Sequence, residues 1–414
     1  MNKRRVVITG LGCVTPLGNS VDIFFGNICK GKSGIAPITS FDVSQFATRF
    51  GGEVKDFDIT QFIDAREGKR MDRFCQLAIA SVVQAVKDCG IDFSKENTER
   101  CGVIYGTGIG GIQEIEQQHI RLLNKGPRFV SPFTVPKLMA NAASGTVSMM
   151  YGLKGPNFCV VTACASASHS IGEAFYNILN DRSDVMVTGG SEAAVSPVGV
   201  GSFCALKALS TKNDTPEIAS RPFDIDRDGF VIAEGAAGII LEEYEHAKKR
   251  GAKIYAELLG YGATADAHHI TAPPPDGAGA IRAIEIALKQ AGVPKEKIDY
   301  VNAHGTSTQL NDIAETLALK KVFGQHAYKL SISSTKSAIG HSLGASGGIE
   351  MVATCKTIEK SIIHPTVNLD NIDPECDPKL DFVPKVAKER KVDYAISNSF
   401  GFGGHNACLV VGKI

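Results

Sequence analysis

Short apolar runs recur at 5–9, 102–105, 158–161, 184–187 and 238–242, and again at 256–262, 300–303, 330–333, 394–397 and 407–411. Between many of them apolar residues return every three or four positions, which predicts helices over 76–88, 166–179, 277–291, 312–323 and 344–360. Short apolar strands alternating with helices predict an α/β fold with largely buried sheets. The pattern also echoes itself. In each part a strand runs into small residues that open a helix, Thr162-Ala163-Cys164 first and Ser334-Thr335-Lys336 through Gly344 later. Each part closes on an apolar strand, 237–241 and 408–411. A duplicated α/β unit joined near Gly251, with halves 1–251 and 252–414, fits this echo, and so does an undivided sheet. No low-complexity linker separates the halves, so they are expected to pack as one body.

Composition narrows the classes of function. Lys plus Arg number 44 and so do Asp plus Glu, so no net field draws the chain to nucleic acid or to an anionic membrane. The start Asn2-Lys3-Arg4-Arg5 imitates a signal peptide, but its apolar run stops at Thr9-Gly10. No apolar stretch approaches the ~20 residues that cross a bilayer. The 11 cysteines are scattered, odd in number and never spaced C-x-x-C. That argues against a disulfide framework or a thiolate zinc site. A soluble protein of a reducing cytoplasm, without metal or organic cofactor, is the expectation.

Two stretches imitate familiar sites. Gly106-Thr107-Gly108-Ile109-Gly110-Gly111 satisfies G-x-G-x-x-G after a predicted strand. A dinucleotide site also wants an acidic residue roughly 20 positions on, and 125–137 holds none. Glu114 and Glu116 would stand in the first helical turn and repel a pyrophosphate. The turn is read as close backbone packing, and a nicotinamide cofactor is rejected. Gly344-Ala345-Ser346-Gly347-Gly348 satisfies G-x-S-x-G, with His405 downstream. A nucleophile elbow needs its strand to end at the serine, whereas the nearest predicted strand ends near Ser333. A small-residue packing face is preferred there, with a Ser346-dependent hydrolase as the alternative.

Cys164 stands apart from the other cysteines. It follows an apolar strand, and Ala167, Ile171, Ala174, Phe175, Ile178 and Leu179 form one helical stripe after it. A cysteine at a helix N-terminus meets unpaired amides and the positive end of the dipole, which is expected to lower its pKa. His304 follows the strand over 300–303 and precedes Gly305-Thr306-Ser307-Thr308. His341 lies in Thr335-Lys336-Ser337-Ala338-Ile339-Gly340-His341, again beyond a strand. Strand-end loops are where α/β folds assemble sites, so a cysteine and two histidines at such loops are candidates for one centre.

The motifs Thr162-Ala163-Cys164-Ala165-Ser166, Asn302-Ala303-His304-Gly305-Thr306-Ser307-Thr308, Thr335-Lys336-Ser337 with Gly340-His341, and Asn398-Ser399-Phe400-Gly401-Phe402-Gly403-Gly404 occur in this order. Ser220-Arg221-Pro222-Phe223-Asp224 and Arg227-Asp228-Gly229-Phe230 support them. Together they resemble the β-ketoacyl-acyl-carrier-protein synthases over essentially the whole chain, and most closely the type II fatty-acid elongation enzymes. The resemblance implies a thiolase-like fold, a duplicated α/β unit in five αβαβα layers, and a homodimer that works with acyl-carrier protein. It implies decarboxylative condensation of an acyl thioester with malonyl-acyl-carrier protein, with Cys164 carrying the acyl group and His304 and His341 stabilising the enolate. The Cys164 and Phe402 amides would form the oxyanion hole, and Gly401, Phe402 and Gly403 would belong to the gating loop. Lys336 would order the site through Asp312 or Glu315, and Glu350 would be a buried structural carboxylate. Thr306 and Thr308 would bind the pantetheine arm and Ile109 would line the acyl pocket. Arg66, Lys69, Arg70, Arg128 and Lys207 are candidates for carrier-protein docking.

Three positions depart from the family pattern. His405 stands where threonine is common, Gln309 where proline is usual and Ile313 where lysine is usual. A coenzyme A-dependent thiolase-like acyltransferase is a second alternative, but it needs another cysteine as base and 397–406 contains none.

Overall fold

Strands that are apolar on both faces need cover on both, and ten of them share one mixed sheet in the computed structural model, which describes residues 4–414. Asn2 and Lys3 of the basic start lie outside the described residues. In chain order the strands are β1 (Val6–Val14), β2 (Cys101–Gly106), β3 (Asn157–Val160), β4 (Val185–Glu192) and β5 (Gly235–Glu243). They continue with β6 (Ala256–Ala265), β7 (Tyr300–Asn302), β8 (Ser331–Ser333), β9 (Tyr394–Gly401) and β10 (His405–Gly412). Each overlaps one of the ten predicted runs.

Across the sheet the order is β8-β7-β9-β10-β6-β1-β5-β4-β2-β3. Counted from the middle outward, both sides run first strand, fifth, fourth, second, third. On one side β3, β2 and β4 are parallel, while β5 is antiparallel to both β4 and β1. On the other, β8, β7 and β9 are parallel, while β10 is antiparallel to both β9 and β6. The two sides meet where Val6, Val7 and Ile8 pair with Leu258, Glu257 and Ala256.

Six helices matter for the site: α1 (Arg73–Cys89), α2 (Ile112–Lys125), α3 (Ser166–Leu179), α4 (Ala278–Ala291), α5 (Gln309–Phe323) and α6 (Ser346–Lys360). The α3 and α6 helices pack on each other between the two halves of the sheet, α3 against β2 and β4, α6 against β5 and β9. Outside, α1 covers β1 and β5, and α4 covers β6 and β10. This is the five-layered thiolase-like arrangement. A helix in the middle layer has no face for water, and α6 is buried from Ser346 to Ile358. Full burial of each large aliphatic side chain there, such as Ile349 or Val352, contributes about 1.5–3 kcal/mol.

The pattern-based bounds fall short at β1. The predicted strand stops near Gly10, yet β1 continues to Val14. Gly10 and Gly12 lie directly under α1, where a Cβ would overlap the Ala85 and Ser81 carbonyl oxygens. They permit close approach of helix to sheet rather than ending the strand.

Candidate active site

The first half delivers Cys164 on a strained turn. Beyond β3 the chain bends at Ala163, whose φ of +48° is rare for a residue with a Cβ, and a single 3-10 turn over Ala163–Ala165 leads into α3. Ser166 staples the bend, because its Oγ accepts from the Thr162 amide (2.9 Å) and donates to the Ala163 carbonyl (2.7 Å). The second half repeats the device. Leu343 has φ +44°, a 3-10 turn spans Leu343–Ala345, and α6 starts at Ser346. Gly344 occupies the place of Cys164. Between β8 and this second turn the chain inserts a short helix, Lys336–Ile339, and then His341. That insertion is why the G-x-S-x-G stretch stands so far from its strand.

Cys164, His304 and His341 line one cavity of about 600 Å³. Ile109, Thr306, Thr308, Phe400, Gly401 and Phe402 share its walls, and Lys207 stands on its lining as an exposed residue. The imidazoles of His304 and His341 are 5.5 Å apart and nearly perpendicular, braced edge-on by Phe400 and Phe230 respectively.

Hydrogen bonds set the tautomer of both rings. Lys336 Nζ, which can only donate, lies 3.2 Å from His304 Nδ1. The Leu343 amide donates to His341 Nδ1 at 3.2 Å, and Ser346 Oγ lies 2.9 Å from the same nitrogen. An Nδ1 that accepts leaves the proton of a neutral ring on Nε2. Both rings stay neutral, since burial, reinforced by the Lys336 charge, holds their pKa values well below the usual range. The pair therefore presents two neutral N–H donors.

Lys336 pairs with Glu350 and donates to the His304 carbonyl at 2.6 Å, all of it buried. The expected route through Asp312 or Glu315 is thus corrected: the carboxylate within reach comes from α6, not α5. Those two acids hold backbone instead. Glu315 accepts from the His304 and Gly305 amides (2.9 and 2.8 Å), and Asp312 from the Thr306 and Phe223 amides (3.0 and 2.9 Å). Burial raises both carboxyls, Glu315 to about 7.

The expectation of a lowered thiol pKa is also corrected. Cys164 is only 8% exposed, and burial pushes its thiol up to about 11. The Lys336 charge and the Phe402 and Cys164 amides favour the thiolate but do not outweigh that burial. Gly401 lets the end of β9 press against this turn, since its Cβ would stand 3.1 Å from the Cys164 nitrogen.

Other expected residues divide. Thr306 and Thr308 share a 2.8 Å hydrogen bond on the cavity wall, whereas Gly403 is exposed beyond it. Arg66, Lys69, Arg70 and Arg128 are exposed but do not line the cavity, and Arg70 is already engaged with Glu67 at 2.9 Å. Ser346 is buried and likewise absent from the lining. Gln309 lines the cavity, Ile313 packs into the core under α5, and His405 is half-buried against Gly403. Sequence reasoning missed Glu192, whose carboxylate takes the Gly108 and Ile109 amides and so fills the Gly-rich turn that imitates a phosphate loop. An acid right after Gly189-Gly190-Ser191 at a strand end was the available signal.

Comparison with known proteins identifies the scaffold. Residues 3–247 match the family described as "Beta-ketoacyl synthase, N-terminal domain", and residues 255–370 match "Beta-ketoacyl synthase, C-terminal domain". The chain belongs to the β-ketoacyl synthase family. Relatives of this β-ketoacyl synthase include the "3-oxoacyl-[acyl-carrier-protein] synthase 2" of Synechocystis sp., 53% identical with 100% of this chain and 99% of the relative covered. The protein of the same name from Coxiella burnetii is 50% identical, with both chains covered completely. Among solved structures, a β-ketoacyl synthase from Burkholderia phymatum superposes with a TM-score of 0.92 at 36% identity, covering 99% of this chain and 100% of that one. A complex described as a "type II PKS acyl-carrier protein in complex with its ketosynthase bound to the hexaketide" also gives 0.92, at 36% identity and full coverage of both chains.

Proposed function

We propose that this β-ketoacyl synthase elongates fatty acyl chains by decarboxylative Claisen condensation, as a synthase of the type 2 class. The observation that carries the reading is the pair of Nε2–H imidazoles beside Cys164 in one cavity. In the first step the Cys164 sulfur attacks an acyl thioester on acyl-carrier protein. As the carrier's C–S bond breaks, the thiol proton ends on the departing pantetheine sulfur, which leaves acyl-Cys164 and the free carrier thiol. The Cys164 and Phe402 amides receive the tetrahedral oxyanion. Malonyl-carrier protein then binds along Thr306 and Thr308 and loses carbon dioxide. The two electrons of the broken C–C bond become an enolate, whose oxygen His304 and His341 hold. The enolate carbon attacks acyl-Cys164, and the expelled sulfur takes up a proton. Two preorganised donors at one developing anion suit this step, each worth about 3 kcal/mol of barrier.

Several further readings accompany the chemistry. The halves 1–251 and 252–414 are two copies of one α/β unit. The β3 strand lies at the sheet's end with Phe158 42% exposed, beside Val161 at 53% and Met149 at 78%, so a second copy of the chain is its fitting cover. The partner that delivers substrate is acyl-carrier protein, met at the cavity mouth by Lys207 and on the surrounding surface by Arg66, Lys69, Arg70 and Arg128. The setting is cytoplasmic, and among the described residues no helix is long and apolar enough to cross a membrane. A hydrolase at Ser346 is disfavoured because that hydroxyl is buried on His341, off the cavity.

Intact-mass analysis after mixing with acyl-carrier protein tests the proposal. One acyl adduct mapped to Cys164 is expected; an adduct on a serine, or none, rejects it.

A further inference from the structure

Glu192 closes β4, is fully buried, and has no part in the chemistry above. Its carboxylate is held by donors alone. Oε1 accepts from the Thr107 hydroxyl (3.0 Å) and the Ile109 amide (3.2 Å), and Oε2 from the Gly108 amide (2.7 Å) and the Gly344 amide (3.0 Å). Three of these donors come from the loop after β2, and the fourth comes from the turn that opens α6. Burial pushes this carboxyl up to about 7, and the four donors oppose that rise.

The two loops also touch without any side chain between them. A Cβ at Gly344 would overlap the Gly108 amide nitrogen and stand 2.8 Å from Glu192 Oε2. A Cβ at Gly108 would stand 2.7 Å from the same oxygen. Gly108, Ile109 and Leu343 all line the cavity. Leu343 in turn gives its amide to His341.

We propose that Glu192 is a positioning residue that clamps the Gly108–Ile109 wall to the turn from His341 to Gly344. It thereby sets both which acyl chains Cys164 accepts and how well His341 meets the enolate. This inference rests on the condensation reading. A carboxylate can satisfy all four donors at once, whereas an amide of the same shape offers one acceptor atom and turns an NH2 toward groups that already donate. A shift of either wall by a fraction of an ångström is enough to misplace a long chain or a donor.

The test compares the full-length enzyme with Glu192→Gln and Thr107→Val, with thermal melting as a control for folding. Acylation of Cys164 by hexanoyl- and by myristoyl-carrier protein is followed by intact mass, and carbon dioxide release from malonyl-carrier protein is followed separately. Glu192→Gln is expected to slow myristoyl transfer about tenfold more than hexanoyl transfer. It should also lower kcat for carbon dioxide release several-fold while KM for malonyl-carrier protein stays put. Thr107→Val, which removes one donor, should shift the myristoyl-to-hexanoyl ratio in the same direction by a smaller factor, and its ratio decides the matter if Glu192→Gln does not fold. Equal losses on both chains, or wild-type ratios, overturn the clamp. A wild-type enzyme that takes no acyl group on Cys164 overturns the condensation reading and the clamp with it, whereas normal wild-type acylation with unchanged ratios in the variants sinks only the clamp.

Discussion

The Leu343 amide donates to Nδ1 of His341 across 3.2 Å, and this bond decides where the imidazole keeps its proton. His304 reaches the same tautomer by a different route, through Lys336. One ring is set by backbone and the other by a buried charge, so the two respond differently to substitution.

Lys336→Met removes the donor on His304 Nδ1 and strands Glu350, whose other oxygen already lacks a partner. Removing one member of a buried ion pair costs about 3–5 kcal/mol of stability. Urea unfolding should register that loss. Carbon dioxide release from malonyl-carrier protein should fall, by up to about 3 kcal/mol of barrier if the His304 donor is lost entirely.

Ser346→Ala separates the two roles open to that serine. As a partner of His341 it shares its task with the Leu343 amide, so condensation should drop only several-fold, by about 1 kcal/mol. Cys164→Ala should abolish condensation while leaving some malonyl decarboxylation. The reverse pattern, activity surviving without Cys164 and vanishing without Ser346, is what a serine hydrolase would give.

With its thiol near 11, resting Cys164 keeps its proton at neutral pH. Alkylation by iodoacetamide needs the thiolate, so its rate should climb about tenfold per pH unit with no plateau between about pH 7 and 9. The same shift has a stability consequence of definite sign. An unfolded thiol ionises near 9.0 and the folded one does not, so this contribution is present below 9.0 and is lost as pH rises from there to about 11. A plateau in alkylation near neutrality would instead indicate a thiolate–imidazolium pair.

Lys207 is the one docking candidate on the cavity lining. Lys207→Glu should raise KM for acyl-carrier protein and leave kcat close to wild type, with the penalty shrinking as salt increases. Steady-state kinetics at two ionic strengths measure this.

Much of this architecture can be read from the chain, because a strand such as 238–242 or 407–411, buried on both faces, announces itself by apolar residues alone. What hides is anything decided by a distant element. Gly10 and Gly12 look like a strand's end until α1 is seen resting on them. The acid that meets Lys336 sits on a helix whose approach no local pattern reveals, so Asp312 and Glu315 were equally reasonable partners for it. The position of Cys164 at a helix start is local and legible, whereas its burial, which reverses the expected pKa shift, depends on the whole cavity. Glu192 hides for the same reason, its donors coming from two loops far apart in sequence.

The matched bends at Ala163 and Leu343 bear on how far such a scaffold can be re-engineered. A graft of the reactive sulfur onto the sister bend, at Gly344, has no room: any side chain there collides with the backbone of Gly108. The sister bend is thereby closed to a second nucleophile, whatever side chain is tried there.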